Sequence, residues 1–121
     1  MESLGARRKS VLGRVAGMTS AMLYVTQLVY LHPGKEDVFH AFEDTVLPLL
    51  KKYDGELLLR LRPSRESFIA GSLEGPYEVH LIRFPNEASL AAYARDEERE
   101  RVLSLKNEAV RATLLMKGSE A

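Results

Sequence analysis

The chain has no cysteine and no tryptophan, and its 121 residues include equal numbers of basic and acidic side chains. Without cysteine, a disulfide framework, a thiolate metal site and thiol catalysis are excluded. No apolar run approaches the roughly 18 residues that cross a bilayer, so we expect no membrane partner. Because the formal net charge is zero, the bulk charge does not favour nucleic acid as a partner either.

The sequence also lacks the common motifs of cofactor and nucleophile chemistry. It contains no glycine-rich phosphate loop, no Gly-x-Ser-x-Gly elbow and no dinucleotide fingerprint. We therefore expect no cofactor. A chain of this length forms one domain and buries roughly two-thirds of its surface, which is enough for a core that needs no disulfide or structural metal.

The zero net charge hides a basic N-terminal segment. Residues 1–20 carry a net charge of +3, from Arg7, Arg8, Lys9 and Arg14 against one acid, and the rest of the chain carries −3. We interpret this segment as a flexible arm, or as an extension upstream of a later start, outside a domain at residues 21–118. A twin-arginine export signal and a nucleic-acid-binding arm are the alternatives. We favour the tail and expect a cytoplasmic protein.

From residue 22 onward, the hydrophobic periodicity alternates between strand and helix. A continuous apolar run ending at the turn His32-Pro33-Gly34 predicts a buried strand, and a stripe from Phe39 to Tyr53 predicts a helix kinked at Pro48. A second helix begins at the cap Asn86 and includes a solvated charge run. The predicted strands are residues 22–31, 56–62, 77–84 and 113–117, and the predicted helices are residues 35–53 and 86–109.

The resulting order, β-α-β-β-α-β, is typical of the α+β ferredoxin-like fold, a four-stranded antiparallel sheet with two helices on one face. The first strand is apolar on both sides, so a monomer would expose a large apolar patch. A homodimer whose sheets pack face to face covers that patch. We therefore expect a second copy of the chain as the partner.

Short motifs along residues 22–118 resemble those of the dimeric α+β-barrel superfamily. They are Leu23–Leu31 followed by His32-Pro33-Gly34-Lys35-Glu36, Phe39 and Phe42, then Gly55, Leu73-Glu74-Gly75, Arg83-Phe84-Pro85-Asn86, Ala88 and Tyr93. The resemblance extends to small uncharacterised members and to antibiotic-biosynthesis monooxygenases, EthD-like proteins and muconolactone isomerases. It implies a dimer with a small-molecule cavity between sheet and helices.

His80 is the candidate catalytic residue, because it lies in mid-strand on the same face as Glu78 and Phe84. If that face meets the helices, His80 enters the cavity layer that the resemblance implies and can transfer protons near neutral pH. The alternative is a hydrogen-bonded core histidine. A second histidine, His40, could bind metal with Glu43, but its position opposite the apolar stripe favours a solvated side chain, and we expect no metal.

One acid, two tyrosines and two arginines complete the candidate site as ligand-binding residues: Glu78, Tyr24, Tyr93, Arg60 and Arg83. We expect Arg60, Arg62 and Arg83 on the dimer-facing side of the sheet, with Arg60 near Arg83. There they either form ion pairs between subunits, with Glu56 or another carboxylate, or bind an anion. Tyr24 and Tyr93 are candidate cavity walls, although tyrosine at such spacing is more often a core residue.

The predicted function is small-molecule binding by a homodimer. We expect a cofactor-independent enzyme, similar to the monooxygenase or isomerase relatives, acting on a small aromatic or carbonyl compound. The alternative is a ligand-sensing or structural dimer without catalysis. Nucleic-acid binding ranks lowest, because the second sheet face has no row of aromatic side chains.

Overall fold

The computed structural model describes residues 22–120, so the predictions for residues 1–20 lie outside the described residues. Four strands, four short α-helices and two 3₁₀ segments follow one another along these residues. In chain order they are β1 (Leu23–Leu31), α1 (Glu36–Val46), a 3₁₀ helix (Leu47–Tyr53), β2 (Glu56–Leu61), a 3₁₀ turn (Arg65–Ser67), β3 (Glu78–Phe84), α2 (Glu87–Ala94), α3 (Glu97–Arg101), α4 (Leu103–Ala109) and β4 (Val110–Gly118).

The four strands form one antiparallel sheet in the order β2-β3-β1-β4, with the helices packed on one face. This order confirms the predicted ferredoxin-like α+β fold. β4 begins at Val110, three residues earlier than predicted, because a register shift at the end of β1 lets pairing continue to Leu31. Among the described residues, no helix is long and apolar enough to span a membrane.

The first predicted helix changes type near Pro48, where we expected a kink. α1 ends at Val46 and continues as a 3₁₀ helix, which carries the proline in its first turn. A proline at that position removes no backbone hydrogen bond that the 3₁₀ helix needs. The segment ends at Asp54, whose φ of 58° lies in the left-handed region and turns the chain into β2.

The second predicted helix is broken into α2, α3 and α4, and the charge run within it is not uniformly solvated. Asp96 is buried, although residues 96–101 were expected to be solvent-exposed. Its carboxylate caps α3 by accepting from the backbone N–H of Arg99 at 3.0 Å. It also accepts from Lys52 Nζ at 2.7 Å and from the Tyr53 hydroxyl at 2.5 Å, which ties α3 to the 3₁₀ helix.

A β-bulge in β2 exchanges the faces of its side chains. Leu57 lies opposite Ile82, but Leu59 lies opposite Leu81, so Leu58 is the extra residue. Beyond the bulge, the leucines point away from the helices and the arginines point towards them. The expectation that Arg60 and Arg62 lie on the dimer-facing side is therefore wrong.

The sheet face away from the helices is apolar. We call it the open face, and its alternate residues come from all four strands. Four of its large side chains are well exposed: Leu59 (45%), Leu61 (39%), Leu114 (43%) and Met116 (48%). A patch of exposed apolar side chains of this kind is typical of an interaction surface.

Candidate functional site

A cavity of about 50 Å³ lies between the sheet and the helices. Since one water occupies about 10–15 Å³ by this measure, the cavity has room for about four water-sized groups. Every helix contributes to its wall, and the polar lining residues are Gln27, Glu43, His80, Tyr93, Arg99, Lys106 and Thr113. The remaining lining side chains are apolar.

His80 lies on the helix side of β3, as its alternation with Phe84 predicts, and it is almost fully buried. Its Nε2 lies 2.5 Å from Glu78 Oε2, and its Nδ1 lies 3.3 Å from Gln27 Oε1. The ring stacks on Phe39 at a centroid distance of 6.5 Å. Contacts at both nitrogens fix the orientation of the imidazole beside the cavity.

Glu78 is completely buried and is the acceptor at the centre of this cluster. Besides His80, it accepts from Arg60 Nε and Arg62 Nε, each at 2.7 Å. Burial acts to raise the pKa of Glu78, but the hydrogen bonds from His80, Arg60 and Arg62 outweigh burial and lower that pKa to about 2. Glu78 is therefore a carboxylate throughout the physiological pH range.

Glu43, on α1, also lies in the buried layer, with 6% of its surface exposed. Its Oε1 is 3.9 Å from His80 Nε2 and has no hydrogen-bond partner among the described residues. Burial, the largest influence, raises the pKa of Glu43. An unpartnered oxygen on a buried acid that lines a cavity is suited to meet a polar atom of a ligand.

Three further side chains line the cavity from the helical side. The Arg99 guanidinium lies 5.2 Å from the centre of the Tyr93 ring, and its Nε is buried without a partner among the described residues. Burial lowers the pKa of Lys106 and raises the pKa of Tyr93 to about 12. The Tyr93 hydroxyl donates to the carbonyl of Val46 at 3.1 Å, so its ring is fixed as a cavity wall.

The open face holds two of the predicted site residues, and both predictions need correction. Tyr24 pairs across the sheet with Arg83, on the side away from the cavity, so Tyr24 is not a cavity wall. Arg83 forms an ion pair with Glu56 of the same chain, not one between subunits. Arg60 lies opposite His80, so it is not a neighbour of Arg83.

Glu43, Glu78 and His80 each offer one possible metal ligand, and these atoms lie within 4.8 Å of one another. However, the oxygens of Glu78 already accept from Arg60 and Arg62. A divalent cation at this position would be repelled by both guanidinium groups. The charges therefore favour a hydrogen-bonded cluster over a metal centre.

The alternative metal pair of His40 and Glu43 does not form. Nε2 of His40 lies 2.6 Å from the Tyr77 hydroxyl, and the side chain is half-buried, not solvated as expected. Glu43 instead points to His80. The two residues share a helix but diverge into different layers.

Sequence reasoning overlooked Glu43, Arg99 and Lys106 as cavity residues. Glu43 alone left a signal, because it follows Phe39 by four residues and precedes Val46 by three, within the apolar stripe of α1. Arg99 and Lys106 belong to α3 and α4, whose directions depend on how the second helical segment is broken. Nothing in their local sequence distinguishes them from solvated charges.

No family model and no curated protein matches the chain. Solved structures resemble it in fold. A protein of unknown function from Rhodopseudomonas palustris superposes with a TM-score of 0.70 at 15% identity, over 85% of each chain. A NIPSNAP family protein of unknown function from Agrobacterium tumefaciens gives 0.63 at 14% identity, over 86% of this chain and 92% of its own.

A third neighbour is dimeric. It is a dimeric protein of unknown function with a ferredoxin-like fold from Bacteroides fragilis, with a TM-score of 0.61 and 14% identity, over 82% of this chain and 96% of its own. At such low identity, these likenesses establish the ferredoxin-like fold alone. The monooxygenase, EthD-like and isomerase families named on sequence resemblance are not among these three neighbours.

Proposed function

We propose that this protein binds a small carbonyl compound in the cavity and moves a proton on it without a cofactor, as an isomerase does. One observation carries the proposal. In the described part of the chain, the two buried side-chain atoms without a hydrogen-bond partner are Glu43 Oε1 and Arg99 Nε, and both residues line this cavity. A ligand with polar atoms at both ends satisfies both groups.

Glu43 is the proposed proton-transfer group. Burial favours its protonated form, so Glu43 can donate its proton to the carbonyl oxygen of the ligand. The resulting carboxylate takes a proton from the adjacent carbon, which leaves an enol and restores the acid. Returning the proton to the same carbon exchanges it with solvent. Where that carbon also bears a hydroxyl, the enol is an enediol: Glu43 protonates the former carbonyl carbon, its carboxylate takes the proton of the second hydroxyl, and the carbonyl has moved by one carbon without any electron or external reactant being consumed.

His80 and Glu78 support that transfer. His80 acts to lower the pKa of Glu43, so it stabilises the carboxylate formed when the proton leaves. Glu78 holds His80 in place, with Arg60 and Arg62 fixing Glu78 in turn. The sequence analysis assigned the acid or base role to His80. In the proposal, Glu43 takes that role at the ligand, and His80 stabilises the negative charge of Glu43.

The test is proton exchange at carbon. A panel of small ketones, aldehydes and oxo acids is incubated with the protein in D₂O, and deuterium incorporation is followed by NMR. We expect exchange above the buffer rate with at least one compound, reduced about 10²–10⁴-fold in Glu43→Gln. The matched control Glu36→Gln changes an exposed acid of the same helix and should leave the rate unchanged. Equal rates in both variants would contradict the proposal.

The second candidate function is a ligand sensor without catalysis. It is supported by the contacts at both nitrogens of His80, which leave the imidazole without a nitrogen free for a ligand. The same panel separates the two functions. Saturable binding with no deuterium incorporation for any bound compound favours the sensor.

We also propose that the open face joins two copies of the chain. The exposed leucines support this assembly, as does the dimeric Bacteroides neighbour. β4 offers a matched pair of test positions, because Leu114 (43% exposed) lies on the open face and Leu115 (46% exposed) lies on the other. In sedimentation, Leu114→Glu should yield monomers while Leu115→Glu stays dimeric. Monomeric wild type would refute the assembly.

A further inference from the structure

The charges around the cavity are unevenly distributed. Glu78 is already neutralised by Arg60 and Arg62, so this trio carries a net positive charge. Arg99 and Lys106 line the cavity from the helices, and neither forms an ion pair among the described residues. The polar contacts of Arg99 go to the carbonyl of Ala94 at 3.4 Å and to the aromatic faces nearby.

Burial raises the pKa of Glu43, and no ion pair joins Glu43 to Arg99 or Lys106 among the described residues. The cavity therefore combines two cations without an ion-pair partner with a buried acid whose Oε1 has no hydrogen-bond partner. Both cations are half-buried. A cation partly withdrawn from water without a partner is costly, and a ligand carboxylate supplies the missing charge. A guanidinium group also matches a carboxylate in geometry.

We propose that the cavity binds a short-chain 2-oxo acid, an inference that rests on the proposed function. Its carboxylate binds Arg99 and Lys106, and its carbonyl oxygen faces Glu43. The size of the cavity supports a short chain, since about 50 Å³ admits only a few heavy atoms. This orientation places the carbon next to the carbonyl within reach of the carboxylate of Glu43 after proton donation.

The experiment compares pyruvate with its neutral analogue pyruvamide, by isothermal titration calorimetry in a buffer free of carboxylates. The two probes share a carbonyl and nearly the same shape, so they differ mainly in charge. We expect pyruvate to bind the wild-type protein at least about tenfold more tightly than pyruvamide. Equal affinities, or tighter binding of pyruvamide, would overturn the inference.

Variants locate the site. Arg99→Gln should weaken pyruvate binding by at least about tenfold and leave pyruvamide nearly unchanged, whereas Arg101→Gln changes an exposed arginine of the same helix and should alter neither. Glu43→Gln, which mimics the neutral acid, should retain pyruvate binding while losing proton exchange. Pyruvate binding that is indifferent to Arg99→Gln contradicts the assignment. If Arg99→Gln does not fold, Lys106→Gln makes the same comparison from α4.

The outcomes separate this inference from the proposed function. If a neutral carbonyl compound binds and exchanges its protons while no oxo acid binds, the proposed function stands and the carboxylate assignment fails. If no carbonyl compound binds or exchanges, both fail. If oxo acids bind through Arg99 without exchange, the carboxylate assignment stands and the sensor replaces the enzyme.

Discussion

Replacing Glu78 with glutamine tests the buried cluster directly. Glu78 accepts hydrogen bonds from His80, Arg60 and Arg62. Glutamine has nearly the same shape, but it offers only one acceptor oxygen. Its NH₂ group is a hydrogen-bond donor and would face the donor groups of the arginines. The variant therefore leaves two guanidinium groups and a buried imidazole without the negative charge that they surround.

The size of the effect follows from the carboxyl group. Folding lowers the pKa of Glu78 from its ordinary value of 4.5 to about 2, which corresponds to roughly 3 kcal/mol of stabilisation at neutral pH. Breaking a buried ion pair by removing one partner costs about 3–5 kcal/mol. Because Arg62 is half-exposed and keeps its hydration, we expect the lower end, about 3 kcal/mol.

The pH dependence has a definite sign. A carboxyl group whose pKa is lowered by folding stabilises the protein above pH 4.5 and loses that contribution as the pH falls towards 2. The difference in unfolding free energy between wild type and Glu78→Gln should be constant from pH 7 to 5. It should then shrink by about 2 kcal/mol by pH 3, since each pH unit below 4.5 removes about 1.4 kcal/mol.

Urea unfolding at fixed protein concentration measures this difference, since dimer formation would make the stability concentration-dependent. The control is Glu56→Gln, which breaks the other Glu–Arg pair between β2 and β3. Glu56 is 58% exposed, so its loss should cost at most about 1 kcal/mol. A Glu78→Gln effect below about 1 kcal/mol, or one that is equal at pH 7 and pH 3, would refute the reasoning.

Two further substitutions probe the fold around the site. Gly55→Ala places a Cβ 2.8 Å from the buried ring of Phe84 and should lower the free energy of unfolding in urea by about 1–3 kcal/mol. The control is Gly118→Ala, whose Cβ meets nothing within 4 Å. Equal unfolding free energies for the two variants would show that the Phe84 ring moves aside. Asp96→Asn should lower the melting temperature because it removes the negative charge that accepts from Lys52 and Tyr53, while asparagine can still cap α3. An unchanged melting temperature would mean that α3 docks without that carboxylate.

The fold could be predicted because its signals are local and regular. The apolar run of β1 and the stripe of α1 determine which element forms, and the four-strand order follows from how such elements alternate. His80 could be placed on the helix side for a similar reason. β3 has no bulge, so its buried and half-buried residues alternate along its whole length.

The faces of β2 were not predictable by the same argument. Its bulge lies in a run of three leucines, Leu57 to Leu59, where no change of residue type marks the extra position. The charged residues that line the cavity were not predictable for another reason. Arg99 is placed by the buried cap Asp96, and a capping contact is a local event within a charge run that looks solvated throughout.

The bulge in β2 has a consequence for comparing this chain with distant relatives. One inserted leucine separates a strand whose arginines lie on the helix side of the sheet from one whose arginines lie on the open face. An alignment that pairs a relative's unbulged strand with β2 without a gap at Leu58 matches helix-side residues to open-face residues from that point on. Equivalent positions are found by placing the gap so that the side chain aligned with Arg60 stands opposite the counterpart of His80.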